Sequence, residues 1–487
     1  MYLTVHVIPE PKQIQRTDSK DKLYLARRLS NKVFVHSPVF QSSADLFVSY
    51  VKSRFGVELI TEDTPEAVTF MTSDKLKPGQ YRIQSDDYSL KVFAKDEEGA
   101  FYAVSTLIQL LQAREQKLYV PILTIQDEPD TPYRFFMLDL ARTWHDVSYI
   151  LNYVDLCFLY KVKYLHLHFT DDQSYTLPSQ LFPKLSSKKH YSEKDIDFIN
   201  RYAKSRGVEL VPEIDCPGHC AIHQKKYPEI FGNNGVMVQN KVCIDSMKAL
   251  FAEMCDMFPD SKYIHIGGDE AEIGKWAEAK ESFPYYESIG LHPETDEPRY
   301  LSERLLANFV NEMANTVFEK GRQPIAWEGF SKVVNDYVRK DLWMISWENY
   351  YQVAPDLYDA GFKIINGSWK PLYIVTGHVH WTQEEVFNWD VHTWEPIHWG
   401  SPYYGSSYRM DSSLPVLGGG LLAWGDRIEK KYKGHRKDGI DEEYLLVCNE
   451  LPAMAENTWN LQKRKDYASF CSDYAYTDEI RKILASH

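Results

Sequence analysis

From about Thr131 onward, short runs of apolar residues alternate with longer stretches whose apolar residues recur at helical spacing. Each run has the length of a buried strand and ends in polar or aromatic residues. The runs are FFMLDLAR (135–142), YLHLHFTDD (164–172), VELVPEID (208–215), YIHIGGDE (263–270), PIAWEGF (324–330), LWMISWE (342–348), KIINGSW (363–369) and GLLAWGD (420–426). The intervening stretches, such as KDIDFINRYAKSRG (194–207) and YLSERLLANFVNEMANTVFEKG (300–321), predict helices.

Eight strand–helix alternations predict a parallel sheet, and the number eight favours a closed (β/α)8 TIM barrel, which is an α/β fold. An open, doubly wound sheet is the alternative. A further helix, EEYLLVCNELPAMAENTWN (442–460), is predicted near the end of the chain. We therefore assign residues 129–487 to a barrel domain with a C-terminal helix.

The preceding residues, 1–128, predict a small α+β domain. Strand-like runs occur at 2–9, 32–37, 67–73, 81–84 and 88–95, and FYAVSTLIQLLQAR (101–114) predicts a helix after the turn-like EEGA. A chain of 487 residues exceeds what one hydrophobic core usually supports, which also favours two domains.

Composition narrows the class of protein. With 44% apolar and 25% charged residues, the chain is typical of a globular protein and unlike a disordered or collagen-like one. The 69 Asp and Glu residues exceed the 55 Lys and Arg residues, which argues against a nucleic-acid binder. Aromatic residues reach 14%, and tyrosine and tryptophan suit sugar ligands as well as protein cores.

Cysteine usage and the first residues bear on location. Seven cysteines in so long a chain do not suggest a disulfide framework, and reduced thiols are the simpler interpretation. The start, MYLTVHVIPEPKQIQ, lacks the features of a signal peptide, and no segment approaches the roughly 18 apolar residues of a membrane span. We expect a cytoplasmic protein without a membrane anchor, with secretion left open.

The barrel prediction brings the carboxyl ends of the eight strands to one mouth, where such barrels carry their sites. The residues at those ends are Arg142, Asp171, Asp215 with His219, Asp269, Glu270, Trp327, Trp347, Trp369, Trp424 and Asp426. Carboxylates, one arginine and one histidine would therefore share a pocket with several tryptophans. Such a set suits a pocket that cleaves sugars.

The most specific motif is HIGGDE, residues 265–270. Its two glycines allow a sharp turn and a close approach of the backbone to a ligand. Two adjacent carboxylates follow, and like charges with partial burial are expected to raise at least one pKa, as a general acid requires. The alternative is a turn whose acids face solvent.

Two motifs invite a metal interpretation, and we expect no metal at either. His166 and His168 lie two residues apart on one face of a strand, as in some hydrolytic barrels, but packed histidines satisfied by neighbours are the favoured alternative. A second group has the spacing of a zinc knuckle but lies on one tight Pro-Gly loop, and His219 is better explained as the partner of an acid. That group is Cys216, His219, Cys220 and His223.

Tryptophans at several strand ends favour stacking against the faces of a pyranose ring. Trp327, Trp347 and Trp424 end three different runs, and Trp389 lies in the loop FNWD. A buried tryptophan is usually part of the core, which is the alternative for each of them.

The motifs in this order resemble glycoside hydrolase family 20, the β-N-acetylhexosaminidases. The matching stretches are FFMLDLAR, YLHLHFTDDQ, RGVELVPEIDCPGH, HIGGDE, PIAWEGF, GGGLLAWGD and LPAMAENTW. The N-terminal unit is similar to the small α+β domain that precedes the barrel in that family. The resemblance covers nearly the whole chain and implies an exo-acting, retaining hydrolase of terminal non-reducing β-linked GlcNAc and/or GalNAc. Catalysis in that family is substrate-assisted, through an oxazoline-type intermediate, and needs no cofactor.

The resemblance also implies residue roles. Glu270 matches the general acid, Asp269 the carboxylate that holds the acetamido N–H, and Tyr373 the donor to the acetamido oxygen. Asp171 and His219 are similar to the pair that tunes the acid, and Arg142 to the arginine that grips the 3- and 4-hydroxyls. The residues implied to line the sugar pocket are Trp327, Trp347, Trp389, Trp424 and Asp426.

Some positions depart from the family pattern. These are Thr143 in place of His, Tyr175 and Thr176 in place of Trp and Arg, Val375 in place of Asp, and Asp426 where Glu is frequent. The catalytic pair is intact, so the departures concern recognition of the 4- and 6-positions and leave GlcNAc and GalNAc undecided. Two alternatives remain open: a catalytically silent sugar-binding barrel, and a metal-dependent barrel hydrolase. The oligomeric state is not predicted.

Overall fold

Eight parallel strands close into a barrel in the computed structural model, which describes residues 2–16, 23–115 and 117–484. The barrel strands, first to eighth, are Tyr133–Asp139, Tyr164–His168, Glu209–Glu213, Tyr263–His265, Gln323–Trp327, Trp343–Ser346, Lys363–Asn366 and Gly418–Trp424. Residues 133–138 of the first strand pair in parallel with residues 418–423 of the eighth, which closes the sheet. The predicted TIM barrel is therefore confirmed, and the open sheet is excluded.

Helices surround the barrel strands. The α-helices are Val147–Leu159, Glu193–Lys204, Ala221–Lys226, Pro228–Phe231, Lys241–Met257, Phe283–Ser288, Pro298–Glu319, Ala354–Asp359, Trp369–Leu372, Gln383–Asn388, Ile428–Tyr432, Arg436–Trp459 and Tyr467–Leu484. Three 3-10 turns lie at Ile273–Glu278, Lys280–Ser282 and Lys332–Tyr337. The helix at 193–204 begins where a capping box pairs Ser192 with Asp195, which explains its position along the chain.

A ninth short strand, Tyr373–Val375, enters the barrel sheet beside the carboxyl half of the eighth strand. Tyr373 pairs with Leu422, whereas the seventh strand reaches the eighth only through Asn366 and Gly419. A side chain at Gly419 would lie 2.7 Å from the Trp389 ring and 2.9 Å from the Asn366 carbonyl oxygen, so glycine permits this close packing. The insertion places Tyr373 at the mouth.

The N-terminal unit has two sheets and two helices. Its seven-stranded sheet has the order Gln13–Arg16, Leu123–Asp127, Tyr81–Ser85, Leu90–Ala94, Val68–Thr72, Lys32–Val35 and Ile60–Thr61. A four-stranded sheet has the order Tyr2–Thr4, Leu23–Arg28, Lys117–Pro121 and Gln112–Arg114. The helices are Gln41–Phe55, preceded by a 3-10 turn at Pro38–Phe40, and Glu97–Leu110. This arrangement confirms the α+β prediction, while the boundary at residues 128 and 129 stays a prediction.

Two local predictions for this unit were wrong. The run at 2–9 forms a strand only over Tyr2–Thr4, and the predicted helix at 101–114 occupies Glu97–Leu110 instead. The side chain of Asp96 accepts a hydrogen bond from the Gly99 amide, which caps the helix, so EEGA is its first turn. Gln112–Arg114 pairs with Lys117–Pro121 as a strand.

Trp459, at the end of Arg436–Trp459, joins the two units. Its indole N–H donates to Asp127 Oδ1 at 3.1 Å, and its ring contacts Tyr102 edge-on. The guanidinium of Arg134 lies 5.2 Å from the ring centroid, at the start of the first barrel strand. The helix Arg436–Trp459 thereby fixes the small domain against the end of the barrel where its strands begin.

The cysteines and helices also bear on two sequence-based expectations. All seven cysteines are free, and all but Cys471 are buried. Over the described residues, no helix is both long and apolar enough to cross a membrane.

Candidate active site

The Gly267-Gly268 pair carries the chain from the fourth strand to the two acids at the mouth. Both glycines have positive φ, at 68° and 109°. A side chain at Gly267 would lie 2.0 Å from Asp215 Oδ1 and 2.7 Å from the backbone at the third strand end. Glycine is therefore required for Asp269 and Glu270 to reach the barrel mouth.

A line of ionic hydrogen bonds runs inward from Glu270. His219 Nε2 lies 3.1 Å from Glu270 Oε2, and His219 Nδ1 lies 3.3 Å from Asp171 Oδ1. The other oxygen of Asp171 lies 2.7 Å from Nη2 of Arg142. Glu270, His219 and Asp171, which the resemblance grouped together, thus lie in direct contact, and Arg142, assigned to the sugar hydroxyls, contacts Asp171.

The pKa values of the two acids of the pair shift in opposite directions. Glu270 has a side chain that is 48% exposed, and the hydrogen bond from His219 lowers its pKa. Burial would lower the pKa of His219, but the carboxylates of Asp215, Asp171 and Glu270 raise it well above its usual value. Burial raises the pKa of Asp269 to about 7, aided by Glu270 and opposed by His219. The expected raised pKa therefore belongs to Asp269 in the free protein, and not to Glu270.

Asp269 also has a free hydrogen-bonding oxygen. Its side chain is buried, and Oδ1 makes no hydrogen bond with any described residue. A buried acceptor without a partner is costly, so this oxygen is suited to a donor that a ligand brings.

The line of contacts continues into the barrel interior. His168 Nε2 lies 3.0 Å from Asp171 Oδ2, and His168 Nδ1 lies 2.6 Å from Glu213 Oε2. Glu213 is fully buried and also contacts His166, His265 and the indole N–H of Trp327. The sequence analysis did not select Glu213, although an acid inside an apolar strand was a usable signal.

These contacts bear on the metal interpretations. His166 Nε2 lies 2.9 Å from Glu213, so both histidines of the H-x-H pair bond to the same carboxylate, as packed histidines would. Four groups of side chains still have ligand atoms within 4.8 Å of one another. They are His166–Glu213–His265, His168–Glu213–Asp215, Asp171–Asp215–His219 and His219–Asp269–Glu270. None of these groups, found among the described residues, includes Cys216, Cys220 or His223, which argues against a zinc knuckle.

Aromatic rings form a wall around the mouth. The Tyr373 ring stacks on Trp369 at 4.6 Å and lies parallel to Trp347, with centroids 6.1 Å apart. Trp424 lies 5.9 Å from Tyr373 and 6.1 Å from Trp327. Trp347, Trp424 and Tyr373 thus lie together at the mouth, and Trp369, which ends the seventh run, joins them without having been assigned a role.

Two predicted tryptophans take other positions. Trp327 is buried beneath the wall, where its N–H donates to Glu213 Oε1 at 2.6 Å. The ring of Trp389 packs at Gly419 and its N–H donates to the Thr393 carbonyl, and within the described part of the chain it contributes no ring contact to the wall.

Asp139 fixes the loop that carries Arg142, and the sequence analysis did not select it. Asp139 Oδ1 accepts hydrogen bonds from the amides of Ala141 and Arg142, and Oδ2 accepts one from the Gly425 amide at 3.1 Å. The Arg142 guanidinium lies 4.9 Å from the centroid of the Trp424 ring. Asp426, after the eighth strand, is exposed and pairs with Arg427 at 2.9 Å.

The residues that depart from the family pattern mostly pack in the interior or join loops by hydrogen bonds. Thr143 is buried and donates to the Gly425 carbonyl at 2.9 Å, which ties the first loop to the eighth. Thr176 donates to the Phe169 carbonyl, and Tyr175 is buried. Val375 is buried in the inserted strand, so it offers no polar group to a sugar.

Two models of one protein family together match most of the chain. The model for the catalytic domain of glycosyl hydrolase family 20 matches residues 131–461, and the model for domain 2 of the same family matches residues 4–128. The chain belongs to glycosyl hydrolase family 20, which confirms the resemblance.

Individual relatives cover the chain to different extents. A beta-hexosaminidase of Porphyromonas gingivalis is 24% identical over 96% of this chain, and subunit beta of the Mus musculus beta-hexosaminidase is 33% identical over 45% of this chain and 44% of its own length. The chain spans 62% of the Porphyromonas gingivalis protein and 55% of a beta-hexosaminidase from Akkermansia muciniphila.

Solved structures share the fold. The beta-N-acetylhexosaminidase of Bacteroides fragilis superposes with a TM-score of 0.76 at 24% identity, covering 98% of this chain and 96% of its own. The exo beta-N-acetylglucosaminidase of Vibrio harveyi in complex with N-acetylglucosamine gives a TM-score of 0.80 at 20% identity, covering 99% and 78%.

The geometry at Gly267 generates a stability prediction. Gly267→Ala should lower the free energy of unfolding by about 1–3 kcal/mol, because the new methyl group overlaps Asp215 and the adjacent backbone. Gly274→Ala is the matched control, since nothing lies within 4 Å of that position and its change should stay within about 0.5 kcal/mol. Denaturant titration of both variants measures the difference, and equal stabilities would contradict the close approach.

Proposed function

We propose that this chain is an exo-acting, retaining β-N-acetylhexosaminidase that releases terminal, non-reducing β-linked GlcNAc and/or GalNAc from a glycan. The observation that carries the proposal is the buried Asp269, with its unpartnered oxygen, beside the half-exposed Glu270 in an aromatic pocket. The intact pair of acids and the contacts that hold Glu270 favour an enzyme over a silent sugar-binding barrel.

The 2-acetamido group of the substrate acts as the nucleophile in the proposed reaction. Asp269 Oδ1 accepts the acetamido N–H, and the hydroxyl of Tyr373 donates to the acetamido oxygen. The two contacts direct that oxygen onto C1, where it displaces the leaving group and forms an oxazoline-type intermediate. The rate then comes from orientation of a nucleophile already attached to the substrate and from the charge of Asp269.

Glu270 donates a proton to the glycosidic oxygen, and this requires a change from its state in the free protein. The leaving-group sugar of an intact substrate covers the exposed part of Glu270, which removes water and raises the pKa of this carboxyl. The acetamido N–H favours the ionised form of Asp269, whose charge raises the pKa of Glu270 further. With an intact substrate bound, the proton therefore lies on Glu270 and not on Asp269. Free N-acetylglucosamine has no leaving-group sugar, so it ionises Asp269 and leaves Glu270 open to water.

His219 and Asp171 are proposed to complete the cycle. After Glu270 gives up its proton, the charged His219 stabilises the carboxylate, which then activates water to open the intermediate. Asp171 keeps His219 charged and oriented. Since water attacks from the side that the leaving group vacated, the anomeric configuration is retained.

Arg142 and Asp426 are proposed to bind the hydroxyls of the terminal sugar. Arg142 is held by Asp139 and Asp171, so its free N–H groups are fixed at the mouth. Asp426 is the acid closest along the chain to the end of the eighth strand. Trp347, Trp369 and Trp424 supply the apolar walls, while a location in the cytoplasm stays a prediction.

Replacement of the two acids tests these roles. Glu270→Gln should reduce turnover of a β-linked GlcNAc disaccharide about 10²–10⁴-fold and that of an aryl glycoside with a good leaving group far less. Asp269→Asn should reduce both about 10²–10³-fold. Glu272→Gln is the matched control, because that side chain is exposed and its one ion pair among the described residues is with Lys275. Wild-type rates in Glu270→Gln, or equal turnover of aryl β-glucoside and aryl β-N-acetylglucosaminide, would contradict the proposal.

The pKa of Asp269 predicts how sugar binding depends on pH. The ionised carboxylate accepts the acetamido N–H, so affinity for free N-acetylglucosamine is complete above pH 7 and is lost as the pH falls. Below about pH 7, titration calorimetry should show affinity falling about tenfold per pH unit. Asp269→Asn should bind weakly and without this dependence. Wild-type affinity that rises on acidification would contradict the assignment.

Metal removal separates the proposal from a metal-dependent hydrolase. Activity on an aryl β-N-acetylglucosaminide should be unchanged after dialysis against a chelator, since no proposed step uses a cation. Elemental analysis before and after dialysis is the control. Activity that disappears and returns with added metal would move the chemistry to one of the histidine-carboxylate groups.

A further inference from the structure

A row of aromatic side chains extends outward from the two acids across the carboxyl face of the barrel. Tyr350 lies 4.9 Å from Tyr351 and 4.5 Å from His398, between ring centroids. His398 is followed by Trp399, whose ring lies 5.5 Å away at an interplanar angle of 29°. We call Tyr351, Tyr350, His398 and Trp399 the outer aromatic strip.

The outer end of the strip is more exposed than its inner end, although His398 is only partly exposed. Tyr351 is half-buried, Tyr350 is exposed, and Trp399 is 78% exposed. A single exposed tryptophan is common on proteins, but a contiguous series that starts at the catalytic pair is not explained by core packing. The strip therefore offers flat apolar faces to a ligand that leaves the pocket.

Three acidic side chains lie near Tyr351, at the inner end of the strip. Burial raises the pKa of Tyr351, and the charges of Asp269, Glu270 and Glu348 raise it further, so the phenol lies close to these three acids. Glu348 is only 8% exposed, and its side chain makes no hydrogen bond or ion pair with a described residue. The charges of Glu270, Glu328 and Asp269 act on it, which places its carboxyl at the pocket.

Trp399 lies in a segment that is anchored to the end of the sixth strand. The short strands Thr393–Trp394 and Tyr408–Arg409 pair and enclose the segment. The indole N–H of Trp394 donates to the Ser346 carbonyl at 3.1 Å. The hydroxyl of Tyr408 donates to Asn349 Oδ1 and accepts from the Ala354 amide.

The loop that carries Tyr350 is held in place by a buried carboxylate. The buried carboxylate of Glu328 accepts hydrogen bonds from the amides of Trp347, Asn349 and Tyr351. A side chain at Gly400 would lie 2.5 Å from the Tyr350 ring, so the two segments are in close contact. Both halves of the strip are therefore held in a defined geometry before any ligand binds.

We propose that the outer aromatic strip and Glu348 form a binding site for the sugars on the leaving-group side of the scissile bond. The inference rests on the proposed function and names its substrate class, an oligosaccharide and not a glycoside with a small aglycone. Pyranose faces stack on Tyr350 and Trp399, and Glu348 accepts hydrogen bonds from hydroxyls of the first leaving-group sugar.

The test compares substrates of different length. In Trp399→Ala, kcat/KM for a β-linked GlcNAc trisaccharide should fall about 3- to 10-fold, chiefly through KM, because one stacking contact contributes about 0.5–1.5 kcal/mol. Turnover of an aryl β-N-acetylglucosaminide, which ends before Trp399, should stay within about twofold of wild type. Tyr404→Ala is the matched control, since this tyrosine is 60% exposed in the same segment and outside the strip.

Binding to an inactive enzyme gives a second readout. In the Glu270→Gln background, adding Trp399→Ala should weaken affinity for the intact trisaccharide and leave affinity for N-acetylglucosamine unchanged. Adding Glu348→Gln should also weaken trisaccharide binding.

The possible outcomes separate the inference from the function on which it rests. Absence of wild-type turnover on both substrates would contradict the proposed function. Normal wild-type turnover, with Trp399→Ala equal to Tyr404→Ala on the trisaccharide, would overturn the inference alone. Equal losses on trisaccharide and aryl substrate would also overturn it, because they indicate a structural effect.

Discussion

The imidazole of His219 between two carboxylates is the interaction on which the site depends. Its Nε2 contacts Glu270 and its Nδ1 contacts Asp171, so both nitrogens carry protons when the ring is charged. The charged ring lowers the pKa of Glu270 and opposes the rise at Asp269. Without it, two neighbouring acids in a partly buried pocket would both favour their neutral forms.

The same interaction explains why charged side chains are buried inside the barrel next to the site. A charged His219 needs Asp171, and Asp171 is itself buried, so it needs Arg142 and His168. His168 in turn contacts the buried Glu213. Removing charges from water is costly unless each is paired and hydrogen-bonded, and a continuous series of pairs meets this requirement where one isolated pair would not. The barrel core therefore contains buried charged pairs in place of apolar side chains, and these pairs hold Glu270 in a fixed orientation.

Sequence patterns predicted the parts of the molecule that depend on periodicity and chain order. The eight strands and their carboxyl ends follow from repeated apolar runs, and these ends place Arg142, Asp171, Asp269 and Glu270 together. Other features depend on contacts between segments far apart in the sequence. Trp389 seemed equivalent to the strand-end tryptophans, but its ring packs at Gly419 of the eighth strand and not against the rings of the wall. The distribution of protons between the acids could not be predicted either, because it depends on His219 contacting Glu270 and not Asp269.

The inserted strand allows one connection of the barrel to place Tyr373 in the pocket wall and Trp399 farther out on the same face. By pairing with the eighth strand, Tyr373–Val375 holds Tyr373 in the pocket wall through backbone hydrogen bonds of the barrel sheet. The long connection between the seventh and eighth strands is then free to extend across the face, where it carries Trp399. Tyr373 thus lies on a strand of the barrel sheet, while Trp399, which is proposed to meet the leaving group, lies on a connection. Because loops change more readily than barrel strands, substrate length can vary among such barrels while the arrangement around Glu270 is kept.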